Sequence, residues 1–366
     1  MLKNNMKKKI TVLYPFYGKT FGGSHVSIIN MIKKINTKLF NPIIFLHKKG
    51  PLSKVLEKER MEFISHENIC VLKSNSLIQF FFFSLKNYFK IKKLFDEYEI
   101  DIVHSNDGLI HATWNIPTIL NFKKFIWHIR SRDNSRRLSI YALFATKILS
   151  ISKFCRESVN RIFWDNIIVV KNFFTELKKN QQINLNKSKT ISFVANYKSQ
   201  KRPELFFKII NDLNYKQNNL KFNIFGSFNI NERKKLLNLV SSKKKKNNIF
   251  FKGHKFPIDL HIRDSDMMLC LGKREGFGRV LIESMLNKVL IIATNEGGHK
   301  EIIQNKENGI LVDADNIKQF ISEIKLYLDK NRRKRKIINN AYRFAKKNYV
   351  TNNNVKIIEN IYQKLV

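Results

Sequence analysis

Glu275-Gly276-Phe277-Gly278-Arg279-Val280-Leu281-Ile282-Glu283 is the stretch that decides how the 366-residue chain reads. Two carboxylates stand with seven residues between them, the first in a glycine-bracketed loop and the second inside an apolar-periodic run with helical spacing. Residues 266–271 read as a strand, so residues 271–278 form a strand end that runs into a helix N-terminus. Gly276 and Gly278, on either side of Phe277, let backbone approach a bound group closely, and the unpaired N–H groups of a first helical turn favour a phosphate there. Glu275 suits a hydroxyl-bearing ligand. Glu283, about two turns farther on, suits either a ribose diol or an ion pair with Arg279 four residues earlier.

Strand and helix patterns alternate on both sides of this stretch. Strands at 190–195, 221–225 and 248–252 and helices at 203–213 and 231–240 precede it; strands at 289–294 and 309–312 follow. Such alternation specifies a parallel sheet covered by helices on both faces. The first half follows the same scheme, with strands at 9–15, 41–47, 145–152 and 166–172 and others ending near 105 and 130. Residues 176–189 are polar, rich in Lys and Asn and without periodicity, as a linker is. The expected fold class is α/β, two Rossmann-like doubly wound domains in tandem, one over 1–180 and one over 181–349. Helical patterns at 317–327, 334–349 and 353–365 complete the chain, and no internal repeat is visible.

Candidate ligand groups gather at strand ends, where open α/β sheets bind. Gly22 and Gly23 close a glycine-rich loop between the first strand and a helical pattern, although neither a G-x-G-x-x-G nor a Walker pattern is present, and a plain tight turn reads equally well. His104 and Asp107 stand at one strand end, His128 and Arg130 at another. A lone histidine is usually structural; two at equivalent strand ends favour a function for one, and His128, with Arg130 beside it, is the better candidate. In the second half, Asn196 and the Lys201-Arg202-Pro203 run open a proline-started helix, and Lys201 could hold a diphosphate by charge and hydrogen bonds. Gly226 closes the 221–225 strand, and Gly297-Gly298 follows the 289–294 strand.

Composition narrows the partners. Lys and Arg number 68 against 29 Asp and Glu, a net +39 that attracts phosphates on nucleic acid, anionic lipid or a sugar nucleotide. The abundance of Lys, Asn, Ile and Phe also fits an AT-rich codon bias, which raises Lys without function. The basic runs at 243–246 and 332–336 read most simply as solvated loop and helix ends. Three scattered cysteines without C-x-x-C spacing indicate neither a disulfide framework nor a zinc site. No clustered Asp-x-Asp marks a metal site, and no apolar run approaches the ~20 residues needed to span a bilayer. In the helical pattern at 77–98, Phe80 to Phe83 lie on one side with Lys86, Lys90, Lys92 and Lys93 around the rest; core packing and an anionic-membrane contact are the two readings.

Taken in order, these residues resemble the family 4 retaining glycosyltransferases of the GT-B fold, over nearly the whole chain. The matching features are Gly22-Gly23, Asp101-Ile102-Val103-His104, His128, the Lys201 loop, Gly226, the Glu275 and Glu283 pair, Gly297-Gly298 with Glu301, and Asn308-Gly309-Ile310-Leu311-Val312. The resemblance implies two domains with a cleft between them and residues from about 350 to 366 crossing back to the first domain. It implies transfer of a sugar from a UDP- or GDP-linked donor to a saccharide or lipid-linked acceptor of surface polysaccharide, with retention of configuration and without metal or other cofactor. On that pattern Glu275 contacts the donor sugar, Glu283 the ribose, Lys201 the diphosphate, and the Gly22 and Gly23 amides add to the last. His128 positions sugar or acceptor, with His104, Asp107 and Arg130 toward the acceptor. A cytoplasmic enzyme, peripheral on the inner face of an anionic membrane, would follow, with no specific nucleic acid. Two departures stand out: Ala195-Asn196 replaces the usual glycine-arginine of the donor loop, leaving Lys198 or Arg202 to supply the charge, and Lys171-Asn172-Phe173 replaces proline-asparagine-glycine. The rival readings are a basic nucleic-acid-binding protein and another sugar-nucleotide enzyme of this fold, such as an epimerase.

Overall fold

The computed structural model describes residues 8–72, 77–106, 108–132, 138–175, 189–214, 220–328 and 332–366. Their contacts divide the chain into residues 1–175 with 351–366, and residues 176–350. The expected linker and domain border, at 176–189 and 180, fall almost wholly outside the described residues.

The first unit is a parallel sheet of seven strands: β1 (Ile10–Phe16), β2 (Phe40–Leu46), β3 (Ile64–Ser65), β4 (Ile102–Ser105), β5 (Lys124–Ile129), β6 (Lys147–Ser150) and β7 (Ile167–Val169), ordered β3-β2-β1-β4-β5-β6-β7. The second holds β8 (Thr190–Val194), β9 (Lys221–Phe225), β10 (Ile249–Gly253), β11 (Met267–Cys270), β12 (Leu290–Thr294) and β13 (Ile310–Val312), ordered β10-β9-β8-β11-β12-β13. Both are doubly wound, and each reverses direction beside its first strand, between β1 and β4 and between β8 and β11. That reversal is where such sheets bind ligands, at the carboxyl ends of the strands.

The same device pins the central pair in both units. Thr11 N–H donates to the Asp101 carboxylate at 2.8 Å while Asp101 N–H returns to Thr11 O at 3.0 Å. Thr190 and Asp266 repeat the exchange at 2.9 Å in each direction.

Alternate residues of a strand face opposite layers. Met267 and Leu269 of β11 join the core built by the helices Pro203–Asp212 and Ile317–Leu328, whereas Met268 packs with Ile262, Val289 and Val280 on the other face. In the first unit the final helix, Asn353–Leu365, sets Val355, Ile358 and Tyr362 against Val12, Tyr14 and Phe40. Burying each such side chain is worth about 1.5–3 kcal/mol. The C-terminal helix is therefore a core element of the first unit.

Two expectations change. Residues 243–246 form the start of a one-turn helix, Lys243–Asn247, with Ser242 as its N-cap. The helix Leu77–Glu97 does not keep its four phenylalanines on one side: Phe80 is buried while Phe81 and Phe82 are exposed, since successive residues turn about 100° around a helix.

Candidate active site

At the reversal point of the second unit, β8 and β11 deliver the two loops that carry the expected donor groups. Lys201 follows β8 in a short 3-10 turn, Ser199–Lys201, and its Nζ forms an ion pair with Glu275 in the loop after β11. The loops are also joined through backbone, Lys273 N–H donating to Gln200 O at 2.7 Å. Burial pushes the Glu275 carboxyl up, but the charge and hydrogen bond of Lys201, with His299 adding, bring it below the ordinary glutamate value. The carboxylate thus stays ionised and the ammonium stays beside it.

Close backbone approach explains the glycines around this pair. A Cβ on Gly226, whose φ is +140°, would stand 1.9 Å from Ala195 O, so no side chain fits where β9 ends against the Asn196 loop. Asn196 spends its Oδ1 on Ser227 N–H at 2.9 Å and closes that contact. A Cβ on Gly298 would come within 2.6 Å of Gly276 O, and Gly298 N–H donates to Glu275 O at 2.8 Å. Gly278 precedes the helix Arg279–Leu286, and Phe277 turns inward against Tyr349 with ring centroids 5.6 Å apart. Thr294 at the end of β12 donates to Gly272 O at 2.8 Å, and its hydroxyl lies 3.0 Å from His299 Nδ1. Three strand ends thereby fix the position of Glu275.

Two expected donor residues are engaged elsewhere. Arg202 caps the helix Pro203–Asp212 and directs its guanidinium to Ala314 O at 2.7 Å and to the Asp315 carboxylate. Glu283 accepts from Arg279 NH2 at 3.1 Å, the i,i+4 pair weighed from the sequence, with each side chain only 12% exposed. Burial raises the Glu283 carboxyl above its ordinary value against the pull of Arg279.

The first unit fills its own reversal point with two buried, neutral histidines beside an arginine. His104 on β4 and His128 on β5 are stacked, His104 Nε2 lying 3.0 Å from His128 Nδ1. Arg130 reaches back over the pair: NH2 lies 3.2 Å from His128 Nδ1 and 3.0 Å from Asn106 Oδ1, and NH1 donates to Asn172 Oδ1 at 2.6 Å. Burial first, then the Arg130 charge, hold both imidazoles well below the usual histidine value, so both rings are neutral. His104 was expected toward the acceptor; it is fully buried, on a strand bonded to both neighbours, and touches Tyr362 and His128 instead. Asp107 lies outside the described residues. Gly22 N–H donates to His25 Nδ1 at 3.2 Å, and Gly23 opens the helix Gly23–Ile32. Among the described residues no group of three or more His, Cys, Asp or Glu is placed to hold a metal.

Against known proteins, residues 174–344 match the family described as "Glycosyl transferases group 1". An uncharacterized glycosyltransferase of Haemophilus influenzae is 26% identical over 263 residues, covering 67% of this chain and 72% of that protein. Anabaena HepE, solved in complex with UDP-glucose, superimposes with a TM-score of 0.79 over 97% of this chain and 100% of that one, at 15% identity.

The second unit carries the group 1 glycosyltransferase match, and the chain has the GT-B fold.

A second relative, the poly(ribitol-phosphate) alpha-N-acetylglucosaminyltransferase of Staphylococcus aureus, is 23% identical over 169 residues, 46% of this chain and 34% of that protein. The family match ends short of Tyr362 and begins after His128, so the buried cluster of the first unit is described by geometry alone. Tyr14, Asn106, Asn172 and Tyr362 complete that cluster and carry no local motif; only the fold brings them to the histidines.

One further surface, in the first unit, stands out. Along the helix Leu77–Glu97, Ile78, Phe82, Leu85 and Phe89 are 81%, 62%, 64% and 77% exposed, a stripe at helical spacing opposite the buried Phe80, Ser84, Asn87 and Ile91. Lys86, Lys90 and Lys93 border it. Among the described residues no helix is long and apolar enough to cross a membrane.

Proposed function

We propose that this glycosyltransferase moves a sugar from a UDP- or GDP-linked donor to a hydroxyl of a lipid-linked or growing saccharide in surface-polysaccharide synthesis, with retention of anomeric configuration. The observation that carries the reading is the Lys201–Glu275 pair at the β8/β11 reversal, with Gly226, Gly276 and Gly298 packed around it. Departure of a nucleoside diphosphate develops charge on its oxygens, and a fixed ammonium with nearby backbone N–H groups stabilises that charge more than the ground state. Within the second unit Lys201 meets the diphosphate, Glu275 the donor sugar and Glu283 the ribose; within the first, Gly23 offers a backbone N–H and His128 a ring N–H to substrate. The leaving phosphate takes the acceptor's proton, so the reading assigns no metal. UDP-glucose bound to HepE and the polymer-directed name of the Staphylococcus relative support the donor and acceptor classes.

The exposed stripe of Leu77–Glu97 with its lysines fits insertion into an anionic bilayer at headgroup depth, which would keep the enzyme at the inner face of the membrane beside a lipid-linked acceptor. Replacing Phe82 and Phe89 by Ser should release the protein from anionic vesicles while transfer to a water-soluble acceptor persists.

The decisive experiment is a panel of nucleotide sugars with and without acceptor, read as nucleotide release and as the anomeric configuration of the product. Acceptor-dependent release of UDP or GDP that disappears in Glu275→Ala, with unchanged melting, is expected. Release independent of acceptor, inverted product, or wild-type turnover of Glu275→Ala would overturn the reading.

A further inference from the structure

The buried cluster of the first unit is one hydrogen-bond chain whose direction can be deduced. A guanidinium only donates, and Arg130 NH2 lies 3.2 Å from His128 Nδ1. That nitrogen is therefore the acceptor, and the proton of the neutral ring sits on Nε2. His104 Nε2, 3.0 Å from the same atom, must donate as well, which leaves His104 Nδ1 as an acceptor. Its partner is the Tyr362 hydroxyl, from the C-terminal helix 258 residues away in sequence. The Tyr362 oxygen in turn accepts from Tyr14 at 2.9 Å. Polarity runs from Tyr14 through Tyr362 and His104 to His128, and Arg130 closes the far end. Burial raises both phenols, so they keep the protons this direction requires.

What the chain produces is His128 Nε2–H, a donor on a side chain 1% exposed, without a hydrogen-bond partner among the described residues. A buried donor left unmade costs about 1–3 kcal/mol, which a ligand oxygen meeting it would recover.

We propose that Tyr362 is a positioning residue which, acting through His104, fixes His128 as an Nε2–H donor to a lone-pair oxygen of the bound substrate and withholds it from service as a base. The inference rests on the reading of His128 as a substrate-facing group. It also names the matching chemistry: a hydroxyl, ether or phosphoryl oxygen, and not an ammonium or a methyl, belongs at that position of the ligand.

Side-chain nitrogen NMR of the full-length protein labelled with 15N-histidine at pH 7 tests this without any substrate. His104→Gln and His128→Gln assign the two rings. Both should show a protonated Nε2 and an unprotonated Nδ1. Tyr362→Phe keeps the ring that packs on Phe40 and removes only the hydroxyl. Its His104 nitrogen signals should shift toward mixed tautomers, the His128 Nδ1 signal should move as that atom loses one of its two donors, and kcat should fall about tenfold, the worth of one hydrogen bond, with donor KM little changed. A protonated Nδ1 on His128 in the native protein, or unmoved His128 signals in folded Tyr362→Phe, would overturn the proposal. Should Tyr362→Phe not fold, Tyr14→Phe removes the preceding donor and the native spectrum still decides the tautomers. The spectra do not depend on transfer: the expected tautomers in a protein that transfers no sugar would sink the transferase reading and leave the chain standing.

Discussion

The two sheets share a strand order, a reversal beside the first strand and the Thr–Asp exchange that pins it, yet they fill that reversal with opposite chemistry. In the second unit the groups are charged and partly open to solvent, Lys201 36% and Glu275 23% exposed by side chain, and they ride on loops beyond the strands. In the first unit His104 and His128 sit on the strands themselves, 0% and 1% exposed and neutral. A charge that must respond to a charged ligand needs loops and water nearby, because burying it unpaired costs several kcal/mol. A donor that must hold one direction is better locked among other buried dipoles. One architecture therefore supplies an electrostatic site and a directional one.

That contrast breaks most visibly in the kinetics. Lys201→Ala should lower kcat on the order of 10²–10³-fold, as loss of a charge-stabilising donor does. His128→Gln, which keeps an N–H donor, should cost clearly less. Steady-state rates with a fixed donor and acceptor measure both, and equal losses would show that the two reversal points do the same work.

The next largest effect is on acid stability and separates the units by location. His47 donates from Nδ1 to Ile69 O at 3.1 Å and accepts Trp114 Nε1–H on Nε2 at 2.9 Å, so only the neutral ring satisfies both partners. Burial lowers its pKa to about 4, and that of His111 to about 3. Below the ordinary histidine value of about 6.5 the unfolded chain binds protons that the folded unit refuses, so stability falls as pH falls from 6.5 toward 4 and is fully present above that range. His47 alone contributes about 3 kcal/mol across it. All three tryptophans, Trp114, Trp127 and Trp164, lie in the first unit. Denaturation followed by tryptophan fluorescence should shift to lower denaturant between pH 6.5 and 4. A midpoint that holds steady would contradict the neutral histidines.

A smaller perturbation reaches the second unit through backbone. Gly298→Ala must move Gly276 O out of the way of its Cβ, and Gly276 adjoins Glu275. A displacement of the Glu275 loop by a fraction of an ångström should lower kcat/KM about tenfold, with the tryptophan signal unchanged because every tryptophan is in the other unit.

How much of this could be read in the sequence follows from the range of each signal. β9 and the helix Asn353–Leu365 coincide with their expected ranges because periodicity and flanking residues are local. The helix Gly108–Leu120 went unread: residues 110–118 are buried all round, so it has no polar face to set a period. β3, with two residues, is too short to register. The structural repeat escapes notice because Thr11 meets Asp101 and Thr190 meets Asp266 across 90 and 76 residues. Lys201 and Glu275 were legible as loop residues after strands; that they pair was not. Tyr362 reads as one more apolar position of an amphipathic helix, and its hydroxyl gains meaning only when β1, β4 and β5 bring Tyr14, His104 and His128 beneath it.

The smallest expected effect settles what the sequence left open about Glu283. Its carboxylate is paired with Arg279 and is raised by burial, with Asp259 adding to the rise. If the pair is only a structural i,i+4 contact, Glu283→Gln and Arg279→Met should each destabilise by about 0.5 kcal/mol, show coupling in the double variant, and leave donor KM untouched. If Arg279 instead holds Glu283 ready for a ribose, Glu283→Gln should raise donor KM about fivefold, because a neutral amide accepts a diol's hydrogen bonds less strongly than a carboxylate. Arg279→Met should then raise it less, since the carboxylate survives. The ratio of the two KM changes, read beside the melting shifts, assigns the residue: a rise larger in Glu283→Gln than in Arg279→Met marks a ligand contact, and no rise in either marks a helix-surface ion pair.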